Sequence, residues 1–293
     1  MFPNEQPFVI HQPGWTVDST KDPITAVNYC QEGTVIAYAR GPNSVKVISS
    51  ADASEKRNIT QDYSQQPIIN TLFQTSEKTN LLFGAKDGHI FLHDLKKDQR
   101  KFMTRHVGGL LVDLASGAWG DDFAYAVNDG SIRIFDFETF EKKTMLVQGV
   151  FKTKLNINNN IQGILYNPDD SNMIFSAVQA DKINIWDVRT GMIQRSISGP
   201  HLRGSSMDMY DGKLITGSFR EKNQIEVWDV GSSTKMYDIQ MTKPINVTSL
   251  SVARNGLHLI AGGILPNMAQ IFEFETGRFV GETAAFKSAV NKA

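Results

Sequence analysis

A single cysteine, Cys30, stands in the whole chain. No intrachain disulfide can form, so the fold is held without covalent staples and a reducing compartment is the expected setting. Cys30 ends an apolar strand pattern, which points to a buried, inert thiol. An excess of charge of one sign is also missing: 30 basic residues face 31 acidic ones, a net charge of −1. No global field draws the protein to nucleic acid or to a lipid surface, and nucleic-acid binding is not expected. No window approaches the about 18 unbroken apolar residues of a membrane span. Met1-Phe2-Pro3-Asn4-Glu5-Gln6-Pro7 has neither a basic stretch nor a long apolar one, so no signal peptide is read. The cytoplasm is the expected address, with a cilium, the cytoskeleton or the nucleus as alternatives.

The signatures of catalysis are lacking too. There is no Gly-x-Ser-x-Gly elbow, no phosphate-binding loop and no zinc-spaced cysteine set. His89 and His93, beside Asp87 and Asp94, have a metal-like look. Residues four apart on a strand lie about 13 Å apart, too far to share one ion. Gly117-Ala118-Trp119-Gly120 and Gly262-Gly263 read as turn or close-packing glycines. No enzyme activity, catalytic residue, metal or cofactor is expected.

What the sequence does contain is one phrase, repeated. Ile183-Asn184-Ile185-Trp186-Asp187-Val188 returns as Ile225-Glu226-Val227-Trp228-Asp229-Val230. Weaker copies end at Asp94, Asp136 and Glu273, and a worn copy ends at Ser49-Ser50. Taking Ser49, Asp94, Asp136, Asp187, Asp229 and Glu273 as equivalent, the steps are 45, 42, 51, 42 and 44 residues. Before each anchor lie short apolar runs separated by turn residues, the pattern of an antiparallel meander. In the first repeat these are Ile24–Tyr29, Thr34–Ala39, Val45–Ser50 and a polar outer run, Lys56–Thr60. Asp87-Gly88 and Asn128-Asp129-Gly130 stand between apolar runs and predict tight type I′ hairpins; Asp211-Gly212 predicts another turn. Small residues stand ten or eleven positions before each anchor: Ala39, Gly84, Ala126, Ala177, Ser218 and Gly262. They are expected where a strand is crowded by neighbouring sheets. The long step is caused by Gln148 to Asn160, polar and aperiodic, which reads as an enlarged rim loop.

A period of roughly 40–45 residues closed by Trp-Asp resembles the WD40-repeat family over nearly the whole chain. The resemblance implies an all-β, WD40-type propeller of six or seven four-stranded antiparallel blades. One domain is expected over residues 1–293. Residues 1–23 would be an arm or closing strand, 24–283 six recognisable repeats and 284–293 a tail. In the family, a His, a strand Ser, a turn Asp and the anchor Trp form a hydrogen-bonded tetrad. By match, the fifth repeat offers His201, Ser218 and Trp228 without the Asp, and the fourth offers Ser176, Asp181 and Trp186 without the His. The member is therefore divergent. Asp94, Asp136, Trp186, Asp187, Trp228, Asp229 and Glu273 are expected to be structural, since a catalytic site would be single.

Two surfaces are candidates for partners. Lys96, Lys97, Arg100, Lys101, Arg105 and His106 crowd eleven residues, and Lys142, Lys143, Lys152 and Lys154 follow the next anchor. On neighbouring blades these would merge into a basic side face suited to an acidic protein surface, or they guard sheet edges against aggregation. The second is the rim of turns near His106, His201, Arg203 and Arg220, where the resemblance implies peptide binding. The function expected is a non-catalytic scaffold or adaptor within a multiprotein assembly, ciliary, cytoskeletal, coat or organellar. The alternative is a substrate-recognition module of a ubiquitin ligase or similar complex.

Overall fold

A computed structural model of the protein describes residues 7–10, 15–17, 22–30, 33–42, 44–61, 64–73, 79–147, 160–179, 181–287 and 289–290. The enlarged loop expected at Gln148 to Asn160, except its last residue, and the lysines Lys152 and Lys154 lie outside them. β1 is Phe8–Ile10. The first sheet holds β2 (Ile24–Tyr29), β3 (Val35–Arg40), β4 (Ser44–Ser49) and β5 (Glu55–Thr60). The second holds β6 (Ile68–Phe73), β7 (Asn80–Ala85), β8 (His89–Asp94) and β9 (Gln99–Arg105); the third holds β10 (Leu111–Ser116), β11 (Asp122–Val127), β12 (Ser131–Asp136) and β13 (Lys142–Val147). The fourth is β14 (Ile161–Asn167), β15 (Asp170–Val178), β16 (Lys182–Asp187) and β17 (Met192–Ser198). The fifth is β18 (Met207–Tyr210), β19 (Lys213–Gly217), β20 (Ile225–Asp229) and β21 (Thr234–Ile239); the sixth is β22 (Asn246–Val252), β23 (His258–Ile264), β24 (Ala269–Glu273) and β25 (Phe279–Thr283).

Each sheet is an antiparallel meander in strand order, the blade of a β-propeller, and the described residues form six of them. β1 adds to the sixth sheet as a fifth strand, parallel to β25, with Phe8 opposite Gly281. Gly281 leaves room for this approach, because a Cβ there would stand 2.6 Å from the Phe8 carbonyl oxygen. By their contacts the residues group into two compact units. The larger is Trp15–Ala180 with Asn184–Arg195; the other is Met1–Gly14, Asp181–Ile183 and Ser196–Ala293.

Within the larger unit, β7 and β8 are buried at all six positions each, so the inner strands of the second sheet are covered on both faces. One core cluster joins the first and second sheets through Val47, Ile68, Leu81 and Phe83. A second joins the second and third through Leu82, Leu92, Leu114 and Phe123, and a third joins the third and fourth through Ile134, Ile164 and Trp186. In the other unit, Ile215, Val227, Val247, Leu259 and Phe272 join the fifth and sixth sheets.

Close approach explains the small residues of the second strands. A Cβ on Gly84 would lie 2.5 Å from Leu111 Cδ2 and 2.7 Å from Leu114 Cδ1 of the neighbouring sheet. Ala39, Ala126 and Ala177 are wholly buried.

The hairpins correct one expectation. Asp87-Gly88 and Asp129-Gly130 are not type I′ turns: Gly88 and Gly130 have positive φ, at 95° and 86°, but neither aspartate does. Gly88 N–H donates to the Ala85 carbonyl, and Gly130 N–H to the Val127 carbonyl, both at 3.0 Å. These are three-residue loops, a type I turn followed by a left-handed glycine. The aspartates stay right-handed, and the Asp129 carboxylate accepts from Ser131 N–H and Oγ–H at 2.8 and 2.6 Å. Of the three, only Asp211-Gly212, with φ of 48° and 70°, is a two-residue turn with both residues left-handed.

Gly84→Val should therefore lower stability by about 1–3 kcal/mol through overpacking against Leu111 and Leu114, read as a fall in the urea midpoint at unchanged slope.

Candidate functional site

The repeated acids close the turns that follow their strands. Asp94 Oδ1 accepts from the N–H groups of Lys96 and Lys97 at 2.9 and 3.0 Å. Asp136 Oδ1 accepts from Glu138 and Thr139 N–H at 2.9 and 2.8 Å, and Lys143 Nζ lies 3.1 Å from Oδ2. Asp187 takes Arg189 N–H at 2.8 Å, the Arg189 guanidinium at 3.0 Å and Gln194 at 2.9 Å. Asp229 accepts from Ser232 N–H and Oγ–H, both at 2.6 Å, and Glu273 from Thr276 Oγ–H at 2.6 Å. Donors stabilise the charged carboxylate. The Thr139 N–H above all holds Asp136 down at about 2, against an ordinary 3.8, and the Arg189 side chain does the same for Asp187.

The two anchor indoles are buried, and each spends its N–H inside its own sheet. Trp186 donates to Ser176 Oγ at 2.9 Å. Trp228 donates to Thr216 Oγ1 at 3.1 Å, not to Ser218 as the family pattern implied. Ser218 instead accepts from His201 N–H at 3.3 Å.

In the smaller unit two of the predicted rim residues, His201 and Arg220, gather on Asp181. His201 Nδ1 lies 2.5 Å from Asp181 Oδ1, so this histidine meets an aspartate carried by the β15–β16 hairpin. Arg220 reaches Asp181 at 4.0 Å and Glu226 at 3.8 Å, and donates to the Gly199 carbonyl. Arg203 lies over the Phe219 ring at 5.7 Å. Ser218, His201 and Asp181 do not make a nucleophile relay, because Ser218 Oγ bonds the His201 backbone and leaves the imidazole to Asp181. Glu226 is buried, and desolvation pushes its carboxyl up while Lys235 at 3.6 Å and Arg220 pull it down.

In the larger unit, the β9–β10 loop and the hairpin tips of the second and third sheets enclose a cleft of about 390 Å³. Asp87, Arg105, His106, Leu110 and Asp129 line it. Val107 and Leu110 are exposed at its lip, at 82% and 44%. His106 takes a hydrogen bond from Arg133, and desolvation, then that cation, lower its pKa. His89 and His93 point to separate acids, Asp87 and Asp98, each at 3.0 Å. Among the described residues no group of three or more His, Cys, Asp or Glu could hold a metal.

The basic side chains fall in two classes. Lys101 lies 3.6 Å from Asp94, and Lys143 lies 3.1 Å from Asp136, so both are paired with an anchor acid. Lys96, Lys97, Arg105 and Lys142 are exposed and make no ion pair among the described residues. Arg100 Nη1 contacts Met103 Sδ at 3.8 Å. Phe102 of β9 stacks on Phe140, before β13, at 4.4 Å and 8°, tying the second sheet's outer strand to the third sheet.

Sequence reasoning missed the polar bonds between sheets. Asp113, 3% exposed, accepts from Asn70 Nδ2 at 2.8 Å and from Ile164 N–H at 3.0 Å, linking second, third and fourth sheets. Asp208 accepts from Val252 N–H at 2.7 Å, linking fifth to sixth. The available signal was a polar residue inside an otherwise apolar first strand.

Asp136→Asn and Asp187→Asn should each make stability less pH-dependent at acid pH. Both native carboxylates are depressed, so their contribution is complete above 3.8 and is lost as pH falls through about 2; denaturant midpoints across that window test this. Asp113→Ala should cost about 3 kcal/mol by orphaning buried donors, measured by chemical denaturation at neutral pH.

No family model matches the chain. It is 30% identical over 80 residues to F-box/WD repeat-containing protein 8 of Homo sapiens, covering 27% of this chain and 13% of that one. It is 21% identical over 123 residues to Autophagy-related protein 16 of Arabidopsis thaliana, covering 41% and 23%. It is 26% identical over 172 residues to a Striatin homolog of Dictyostelium discoideum, covering 56% and 21%. The match thus spans less than a quarter of each relative's length.

Proposed function

We propose that this chain, a divergent WD-repeat protein, is a non-catalytic scaffold whose separate surfaces hold protein partners in one assembly. The observation that carries this reading is the division of labour among its charged groups. The repeated acids are consumed by turns and Asp113 by inter-sheet bonds, while Lys96, Lys97, Arg105 and Lys142 stand exposed on outer strands and turns with no ion pair among the described residues. Such groups serve recognition rather than stability, because exposed charges contribute little to folding. An acidic protein surface is the partner chemistry they fit. The assembly on this reading is cytoskeletal or ciliary, coat or organellar, and the place of action is the cytoplasm or a structure within it.

The likeness to a relative named for an F-box as well as WD repeats supports a second reading, the substrate-recognition module of a ubiquitin-ligase complex. Affinity purification of the full chain separates the two. Stoichiometric structural partners are the expected result, and cullin adaptors in their place would favour the second reading. Turnover of a small substrate, abolished by one substitution at the rim, would overturn both.

A further inference from the structure

We propose, resting on the acidic-partner reading above, that the free edge of β9 takes an acidic, extended segment of a protein partner as an added strand. Among the described residues β9 ends the second sheet and pairs only with β8, which leaves its other edge without a strand. The phase of its hydrogen bonds shows which groups face outward. His106 N–H donates to the Gly88 carbonyl at 2.8 Å, and the register sets Thr104 opposite Ile90 and Phe102 opposite Leu92 in the same phase. In an antiparallel ladder the intervening residues turn their N–H and C=O away, so Met103 and Arg105 offer theirs to the open side.

The side chains around that edge select what can use it. Met103, 38% exposed, and the exposed Arg105 follow the register shift of the strand, while Lys101, at the shift itself, is engaged by Asp94 at 3.6 Å. Lys96 and Lys97 stand exposed in the turn that leads into the strand. No acid lies between Gln99 and Arg105, and the nearby Asp98 is held by His93 at 3.0 Å. The outer strands β5 and β21 differ: Glu55 is bridged to Lys46, and Asp238 to Lys235. On the opposite face, Phe102 is pinned to Phe140, so the edge is presented without rearrangement. A second copy of β9 would bring like charges together and is repelled. A strand bearing glutamates or aspartates around one small apolar side chain neutralises the cations, meets Met103 and supplies the missing backbone bonds.

The test uses the full chain and a short fluorescent peptide of glutamates around one leucine, with binding followed by anisotropy. A second peptide carries N-methyl groups at alternate backbone nitrogens, which keeps the charge and removes the donors of a strand. Lys97→Glu with Arg105→Glu should weaken the first peptide at least about tenfold, and Lys222→Glu with Lys287→Glu, an equal charge change elsewhere, should leave it unchanged. The N-methylated peptide should also bind at least about tenfold more weakly. Equal binding of both peptides would overturn strand addition and leave the acidic-partner reading standing. Equal weakening by the two double variants would overturn the site. Binding of neither peptide would overturn both readings.

Discussion

Burial of both faces of a sheet is the constraint on which the rest of this molecule depends. β7 and β8 hide every side chain, which no sheet with a wet face could do. Such a sheet needs apolar neighbours on both sides. That need explains the core clusters that run from one sheet into the next, and the alanines and glycine where backbones come close. It also explains why the polar groups inside these layers are bonded across them. Asp113 alone gathers donors from the sheets on either side of its own, and its removal strands each of them.

Turn closure is the complementary device. Each meander must reverse between its third and fourth strands, and a carboxylate at the end of the third strand takes up the N–H groups that the reversal exposes. The first sheet shows that the position can shift while the chemistry persists. Its anchor is Ser49, and the acid has moved to Asp52, which accepts from Ser54 Oγ–H and N–H at 2.8 and 3.0 Å. The Ser54 hydroxyl chiefly holds Asp52 at about 2, in the same range as Asp136 and Asp187. A worn copy of the sequence phrase is thus an intact copy of the turn.

The strands were legible because hydrophobic runs and turn residues alternate on a fixed ruler. Ile24–Tyr29 is a strand residue for residue, and the strands expected at Thr34–Ala39, Val45–Ser50 and Lys56–Thr60 form one residue away, at Val35–Arg40, Ser44–Ser49 and Glu55–Thr60. The acids that end each phrase could be counted in the sequence, but their donors could not be named there. Partners were hidden wherever they lie far along the chain: 51 residues separate Asp113 from Ile164, and 20 separate Asp181 from His201. Local chemistry misled at Asp87-Gly88, where a dipeptide that tolerates type I′ adopts a longer loop. It misled also at Trp228, where Thr216 and Ser218 are both wholly buried and only Thr216 meets the indole.

The outer strands show how one residue type serves two ends. A lysine on an edge keeps other edges away, and for that purpose its neighbours do not matter. Where an acid stands beside it, as Glu55 stands by Lys46 or Asp136 by Lys143, the charge is largely spent within the molecule. Among the described residues, Arg105 of β9 and the two lysines before the strand make no ion pair, and the strand is held through Phe102. An edge so arranged repels what resembles it and attracts its electrostatic complement. The same side chains that guard the sheet against its own kind therefore define the kind of partner it can accept.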